Sequence, residues 1–240
     1  MLQRFLSVAH ADRALRLFRK LAGHDVGEWA ITGGLAVEIH LLRHGCRPSI
    51  RFLNDIDFVT DSFDRVPETL AGDFLFRHIH PLDPPGKIIL QFVDSDNAVR
   101  MDVFRACGAT MTRASRFDIL TGTIQIVSVE DLLARTARLT LDLADGTPVP
   151  RKYARDFLRL LELADAGQVE TAWQDHRKPK HPVTFAETNR LLQDLIPARP
   201  ELLITPRFSR NTDELCLRCA PTAAFHLADP NLIVSLLGYC

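Results

Sequence analysis

The stretch from Trp29 to Asp61, WAITGGLAVEIHLLRHGCRPSIRFLNDIDFVTD, constrains this chain more than any other. Ala30 and Ile31 run straight into Gly33-Gly34, the pattern of a strand ending in a tight turn. Beyond the turn Leu35, Ile39 and Leu42 recur at helical spacing, flanked by Ala36 and Leu41, so a helix is predicted to start at the glycines. The bare N–H groups of such a helix start, with no Cβ in the way, can hold a phosphate chain. Asp55-Ile56-Asp57-Phe58-Val59 follows. Residues i and i+2 of a strand share a side, so Asp55 and Asp57 project together while Ile56 and Phe58 enter the core. Two carboxylates facing one way repel each other unless a cation lies between them. Oxygen-only ligation of that kind suits Mg²⁺, which is commonly held by one or two carboxylates plus substrate phosphates. A phosphate cradle followed by a metal clamp is the equipment of phosphoryl or nucleotidyl transfer.

At 240 residues the chain is long enough for one large domain or two small ones. Its 46% hydrophobic and 25% charged residues are the balance of a folded globular protein. No apolar run is long enough to span a membrane. The N-terminal MLQRFLSVAHADRALRLFRK is amphipathic and basic, without the continuous apolar core of a signal peptide, so a cytoplasmic protein is expected. Five cysteines, an odd number, agree with reduced thiols there. A net charge of −1 advertises no basic field for nucleic acid, and although 24 of the 29 basic residues are Arg, composition does not decide the acceptor.

Further along, FLFRHIH (74–80), KIILQFV (87–93) and AVRMDVFRA (98–106) read as strands, the first two joined by the turn PLDPPG. Asp102 stands in the middle of the third, on the face shared with Arg100 and Phe104. A carboxylate there requires a cation, either a metal or an Arg partner at Arg100 or Arg105. Arg43, Arg47 and Arg51 crowd ahead of the Asp strand, either to neutralise a triphosphate or as solvated loop charges. A short helix is predicted around Phe63, Val66 and Leu70, and a last hairpin around Thr121-Gly122. Ser128 then caps a helix with acid in its first turn, ending at Gly146. A second helix is predicted from Arg151 to Ala166, a basic loop over 174–182, and another helix from Phe185 to Ile196. His78 and His80 form an HxH pair without further ligands in sequence, which favours an exposed strand face. Cys216, Cys219, His226 and Cys240 are not spaced like a familiar zinc knuckle, and free thiols are expected.

Gly-Gly, a helix, and then a hydrophobic strand carrying Asp-x-Asp, in the form GGLAVEIHL…R…NDIDFV, resembles the nucleotidyltransferase superfamily that includes DNA polymerase β. The resemblance covers roughly residues 28 to 160 and is nearest to minimal bacterial members. These are the abortive-infection-type toxins of toxin–antitoxin pairs and the small adenylyltransferases that inactivate antibiotics. It implies an α/β (α+β) fold: a small mixed, mostly antiparallel sheet flanked by helices, with a helical C-terminal part. We expect a catalytic core over 1–128 and a mostly helical region over 129–240. The implied reaction moves a nucleoside monophosphate from an NTP to an acceptor hydroxyl of RNA, tRNA, protein or a small molecule. Two Mg²⁺ ions would be held by Asp55, Asp57 and Asp102, and Asp102 would also take the proton from the acceptor. Thr32, Gly33 and Gly34 would line the β/γ-phosphates. In the toxin branch a lysine on the "EDL" helix and an aspartate on the next helix contact the nucleotide. Asp156 matches the aspartate, but the lysine position holds Arg135-Thr136, and the nearest lysine is Lys152. Arg51, Lys152 and Asp156 complete the expected nucleotide contacts, with Lys152 and Asp156 alternatively an i,i+4 surface pair. A protein antitoxin is the partner implied by the toxin branch, and a non-catalytic nucleotide-binding module is the other class left open.

Overall fold

A computed structural model describes residues 1–53, 55–63, 66–79, 89–119 and 122–205, with positions 229, 232 and 235–236 beyond them. In chain order the elements are α1 (Val8–Leu21), β1 (Ala30–Ile31), α2 (Gly33–Arg43), β2 (Asp55–Thr60), β3 (Leu75–Ile79), β4 (Ile89–Asp94), β5 (Val99–Arg105) and α3 (Thr110–Arg113). They continue with β6 (Ser115–Ile119), β7 (Gly122–Ile126), α4 (Val129–Thr140), β8 (Val149–Pro150), α5 (Arg151–Leu161), α6 (Ala166–His176), α7 (Phe185–Ala198) and β9 (Leu203–Ile204). The anticipated mixed α/β architecture is the one observed. Seven strands form one sheet in the order β3-β4-β5-β2-β1-β7-β6, and most of its pairings are antiparallel. The exceptions are the two parallel pairs, β2 with β5 and β1 with β7.

Alternation along β2 and β5 sorts the side chains into two faces. Ile56, Phe58, Met101 and Val103 are fully buried on one of them. There Phe58 meets Phe18 of α1 edge-on and lies 5.6 Å from the Trp29 ring, while Phe76 and Phe92 extend the aromatic layer across the sheet. A single hydrophobic cluster runs from Leu2 to Leu192. The opposite face carries Asp55, Asp57, Arg100 and Asp102. The parallel β2–β5 register sets Asp57 directly beside Asp102 and Asp55 beside Arg100, which converts a local spacing into a site.

The helices of the C-terminal half depart from expectation at α5 and α6. Instead of one helix from Arg151 to Ala166, α5 stops at Leu161 and α6 begins at Ala166. The break is local chemistry: the Asp165 carboxylate accepts from the N–H groups of Gly167 and Gln168 and so starts a new helix. Helix α6 then runs into the segment read as a basic loop, because Val169, Ala172, Trp173 and His176 form a buried stripe at helical spacing. Around Val66 a 3₁₀ turn, Glu68–Gly72, replaces the predicted helix, with Pro67 at its start. The capping of α4 by Ser128, whose hydroxyl accepts from the Asp131 N–H, is as anticipated. The turn 81–86, His80 and the group Cys216, Cys219, His226 and Cys240 lie outside the described residues. Among the described residues, no helix is long and apolar enough to cross a membrane.

Candidate active site

Asp55 and Asp57 of β2 and Asp102 of β5 each offer a carboxylate oxygen, and these oxygens lie within 4.8 Å of one another. Arg100 grips two of them, with its Nη2 paired to Asp55 and 3.0 Å from Asp102 Oδ2. Gln91 on β4 donates from Nε2 to Asp102 Oδ1 at 2.8 Å. Three carboxylates and one arginine leave an excess of negative charge in a partly desolvated place. Burial pushes the Asp57 carboxyl up to about 7, the neighbouring Asp55 adds to this, and Arg135 opposes it. Asp102 is raised to about 6, again by burial, with Arg100 pulling the other way. An all-oxygen donor set at this spacing, short of positive charge, fits a hard divalent cation such as Mg²⁺.

The glycine turn is built against the same carboxylate. The Thr32 N–H donates to the Asp57 carbonyl at 2.9 Å. Gly33 adopts φ +65°, and a Cβ there would lie 1.9 Å from Asp57 Oδ2. Only glycine meets both conditions, since a side chain at this φ is strained and would displace the carboxylate. A Cβ on Gly34 would lie 2.8 Å from Arg51 Nη1. Gly33→Ala should therefore cost about 1–3 kcal/mol and lower the melting temperature by ~3–10 °C. Gly45, at φ +74° with nothing within 4 Å, supplies the control for backbone strain alone. Equal losses for Gly33→Ala and Gly45→Ala in thermal melts would show that the contact with Asp57 is not what fixes Gly33.

Around this floor the structure places basic residues from the C-terminal helices. Arg135 of α4 donates from Nη1 to the Thr32 hydroxyl at 3.2 Å and lies 4.7 Å over the Phe104 ring. Arg135 and the exposed Lys152 of α5 both favour the ionised form of Asp57. Arg51 and Asp156 are bonded to each other at 2.5 Å. Arg51 also bonds Glu38, a fully buried residue of α2, which is held in turn by Arg159 and by the Ser49 N–H. The pair sits beside Gly34 and ties α2, the 44–53 loop and α5 together. Asp156 is only 3% exposed, so the alternative of a solvated Lys152–Asp156 pair gives way to a buried Arg51–Asp156 pair. Arg43 lies over the Phe117 ring. Arg100 enters as the partner anticipated for Asp102, with the added contact to Asp55. Sequence reasoning missed Glu38 and Arg159, because neither the partners of a buried glutamate nor their geometry leaves a mark in local spacing.

No family model matches the chain, and no curated protein does. Among solved structures, the chain is 13% identical to JHP933 from Helicobacter pylori, with TM-score 0.42, over 98% of this chain and 90% of that one. An antigenic nucleotidyltransferase-like protein from Paracoccidioides brasiliensis is 18% identical, with TM-score 0.41, over 81% of this chain and 89% of that one. The antibiotic-resistance factor ANT(2'')-Ia is 16% identical, with TM-score 0.45, over 77% of this chain and 97% of that one.

Proposed function

We propose that the protein is a Mg²⁺-dependent nucleotidyltransferase that moves a nucleoside monophosphate from an NTP to an acceptor hydroxyl, with pyrophosphate leaving. The observation that carries this reading is the β2–β5 register, which gathers Asp55, Asp57 and Asp102 at the foot of a glycine turn that only glycine fits. When bound there, a pair of Mg²⁺ ions supplies charge neutralisation at the α-phosphate and at the leaving oxygens. Asp55 and Asp57 would hold the metal, and Arg100 keeps Asp55 and Asp102 converged. The N–H groups of Gly33 and Gly34, with Thr32 beside them, line the β/γ-phosphate side at the start of α2, where the helix dipole favours anions. Arg135 and Lys152 border the same floor and meet the triphosphate. Asp102, with Gln91 fixing its orientation, takes the proton from the acceptor hydroxyl. Arg51 and Asp156 set the position of the glycine turn relative to α5 and so shape the nucleotide side. Most of the rate would come from positioning and charge neutralisation, with little covalent work for the protein.

The test is titration of each NTP by calorimetry with Mg²⁺ and with EDTA, followed by incubation with α-labelled NTP and total RNA or cell extract. NTP binding that vanishes on chelation, and label passed to an acceptor with Mg²⁺ present, are expected. NTP binding that is unchanged by EDTA would remove the carboxylate cluster from the reading.

A further inference from the structure

Away from the acid cluster, three elements converge on one sulfur. Cys107, two residues past the end of β5, is a partly exposed free thiol. Arg138 of α4 reaches it with Nη1 at 3.9 Å. The His176 imidazole at the end of α6 lies beside it and, together with Arg138 and Arg135, draws the thiol down to about 7. His176 is 5% exposed, and its Nε2 lies 3.0 Å from Asp131 Oδ1. Its Nδ1 is buried without a hydrogen-bond partner, and the imidazole is the group that acts most strongly on the Cys107 sulfur. Burial opposes charge on His176, but Asp131 and Cys107 outweigh it and raise the imidazole above its ordinary range.

The rest of the group fixes the ring. Asp131 is fully buried and accepts from Arg113 through two nitrogens, at 2.8 and 2.7 Å, and from the Ser128 hydroxyl at 2.8 Å. Arg113 also bonds Asp175 at 2.6 Å, and the Thr110 hydroxyl lies 2.7 Å from the Cys107 carbonyl and 2.9 Å from Asp131. With His176 protonated, Arg113, His176 and Arg138 carry three positive charges against two carboxylates, Asp131 and Asp175. A thiolate at Cys107 balances the group. A merely structural thiol would be buried among apolar side chains, with no cation drawn to it.

We propose that Cys107 is a modification site: a thiolate paired with the His176 imidazolium, which hydroperoxides oxidise to a sulfenic acid. The sulfur attacks one peroxide oxygen, an S–O bond forms and the O–O bond breaks. The departing hydroxide or alkoxide takes the proton from His176 and leaves as water or alcohol. Sulfur loses two electrons and the peroxide gains them, and Arg138 holds the charge that develops on the departing oxygen. The site stands independently of the proposed transferase activity. Arg138 is nevertheless one turn from Arg135 on α4, so the modified sulfur lies on the helix face that meets Thr32.

The full-length protein, with peptide mapping by mass spectrometry, tests this. Cys107 falls in the tryptic peptide 106–113 with Met111, so oxidation is read with a cyclic 1,3-diketone that labels only sulfenic sulfur. Iodoacetamide should alkylate Cys107 about three- to fivefold faster at pH 6–7 in the folded protein than in urea, the larger thiolate fraction being partly offset by weaker nucleophilicity. The rate should follow pH with a midpoint near 7, and hydrogen peroxide should yield the diketone adduct at Cys107 ahead of Cys46, whose thiol donates to the His44 carbonyl. His176→Gln should shift the midpoint upward and slow the peroxide reaction by about tenfold or more, beyond its effect on alkylation. Alkylation of Cys107 no faster folded than in urea, a comparison that needs no variant, would overturn the proposal. So would the absence of a diketone adduct at Cys107 after peroxide.

Discussion

Asp102→Asn is expected to lower transfer by ~10²–10⁴-fold under single-turnover conditions while leaving Mg·NTP affinity within several-fold of wild type. Asparagine keeps the size of the side chain and can still accept from Gln91, but it removes both the charge and the base. Asp55 and Asp57 remain to meet the metal that arrives with the nucleotide. The competing account assigns Asp102 to holding Arg100, 3.0 Å away, for the sake of the sheet. On that account the variant melts earlier, yet each folded molecule turns over normally. Melting temperature, NTP affinity and single-turnover rate measured on one preparation separate the two. A destabilised variant with the wild-type rate removes Asp102 from the chemistry.

Asp57→Asn should have opposite effects on binding and on stability. Binding of Mg·NTP should be lost, since Asp57 is central to the cluster and lies against Gly33. The protein without metal should become more stable. The Asp57 carboxyl is raised from its ordinary 3.8 to about 7 by burial and by Asp55. Between those limits the folded state binds a proton that the unfolded chain has released, so this group costs stability as pH rises through the window. The variant removes that cost. At pH 8 without Mg²⁺ it should exceed wild type by about 1–3 kcal/mol, or ~3–10 °C, a figure reduced for partial exposure of the site. Below about pH 3, where wild-type Asp57 is protonated in both states, the difference should vanish. Saturating Mg·NTP should bring wild type level with or above the variant at pH 8, because the ligand stabilises only the form that binds it. Comparing the variant with wild type cancels the opposite slopes of His40 and His181, which burial lowers, and of Asp131, which Arg113 lowers. A variant no more stable than wild type at pH 8 would show that Asp57 is not under electrostatic strain.

Both expectations depend on residues of unequal legibility. The side-by-side projection of Asp55 and Asp57 follows from the two-residue period of a strand, and the glycine turn ahead of α2 follows from residue type. Such features are local, and the sequence by itself determines them. The apolar periods of β4, β5, α4 and α7 are local in the same sense, and those elements lie where their patterns put them. The break at Asp165 was also written in the chain, as a capping residue just ahead of a new buried stripe. What tertiary structure alone decided is every relation across the sheet and between helices. Asp102 lies beside Asp57 only because β2 and β5 pair in parallel at one register, and a slip of one residue would turn it to the core. Asp156 is buried against Arg51, 105 positions away, where the spacing alone also allowed a surface pair with Lys152. Cys107, Asp131 and His176 come from three elements with no motif joining them. The physical reason is common to these cases. A carboxylate, guanidinium or thiol takes its charge state from desolvation and from whichever charges stand within a few ångströms, and packing of distant segments sets both.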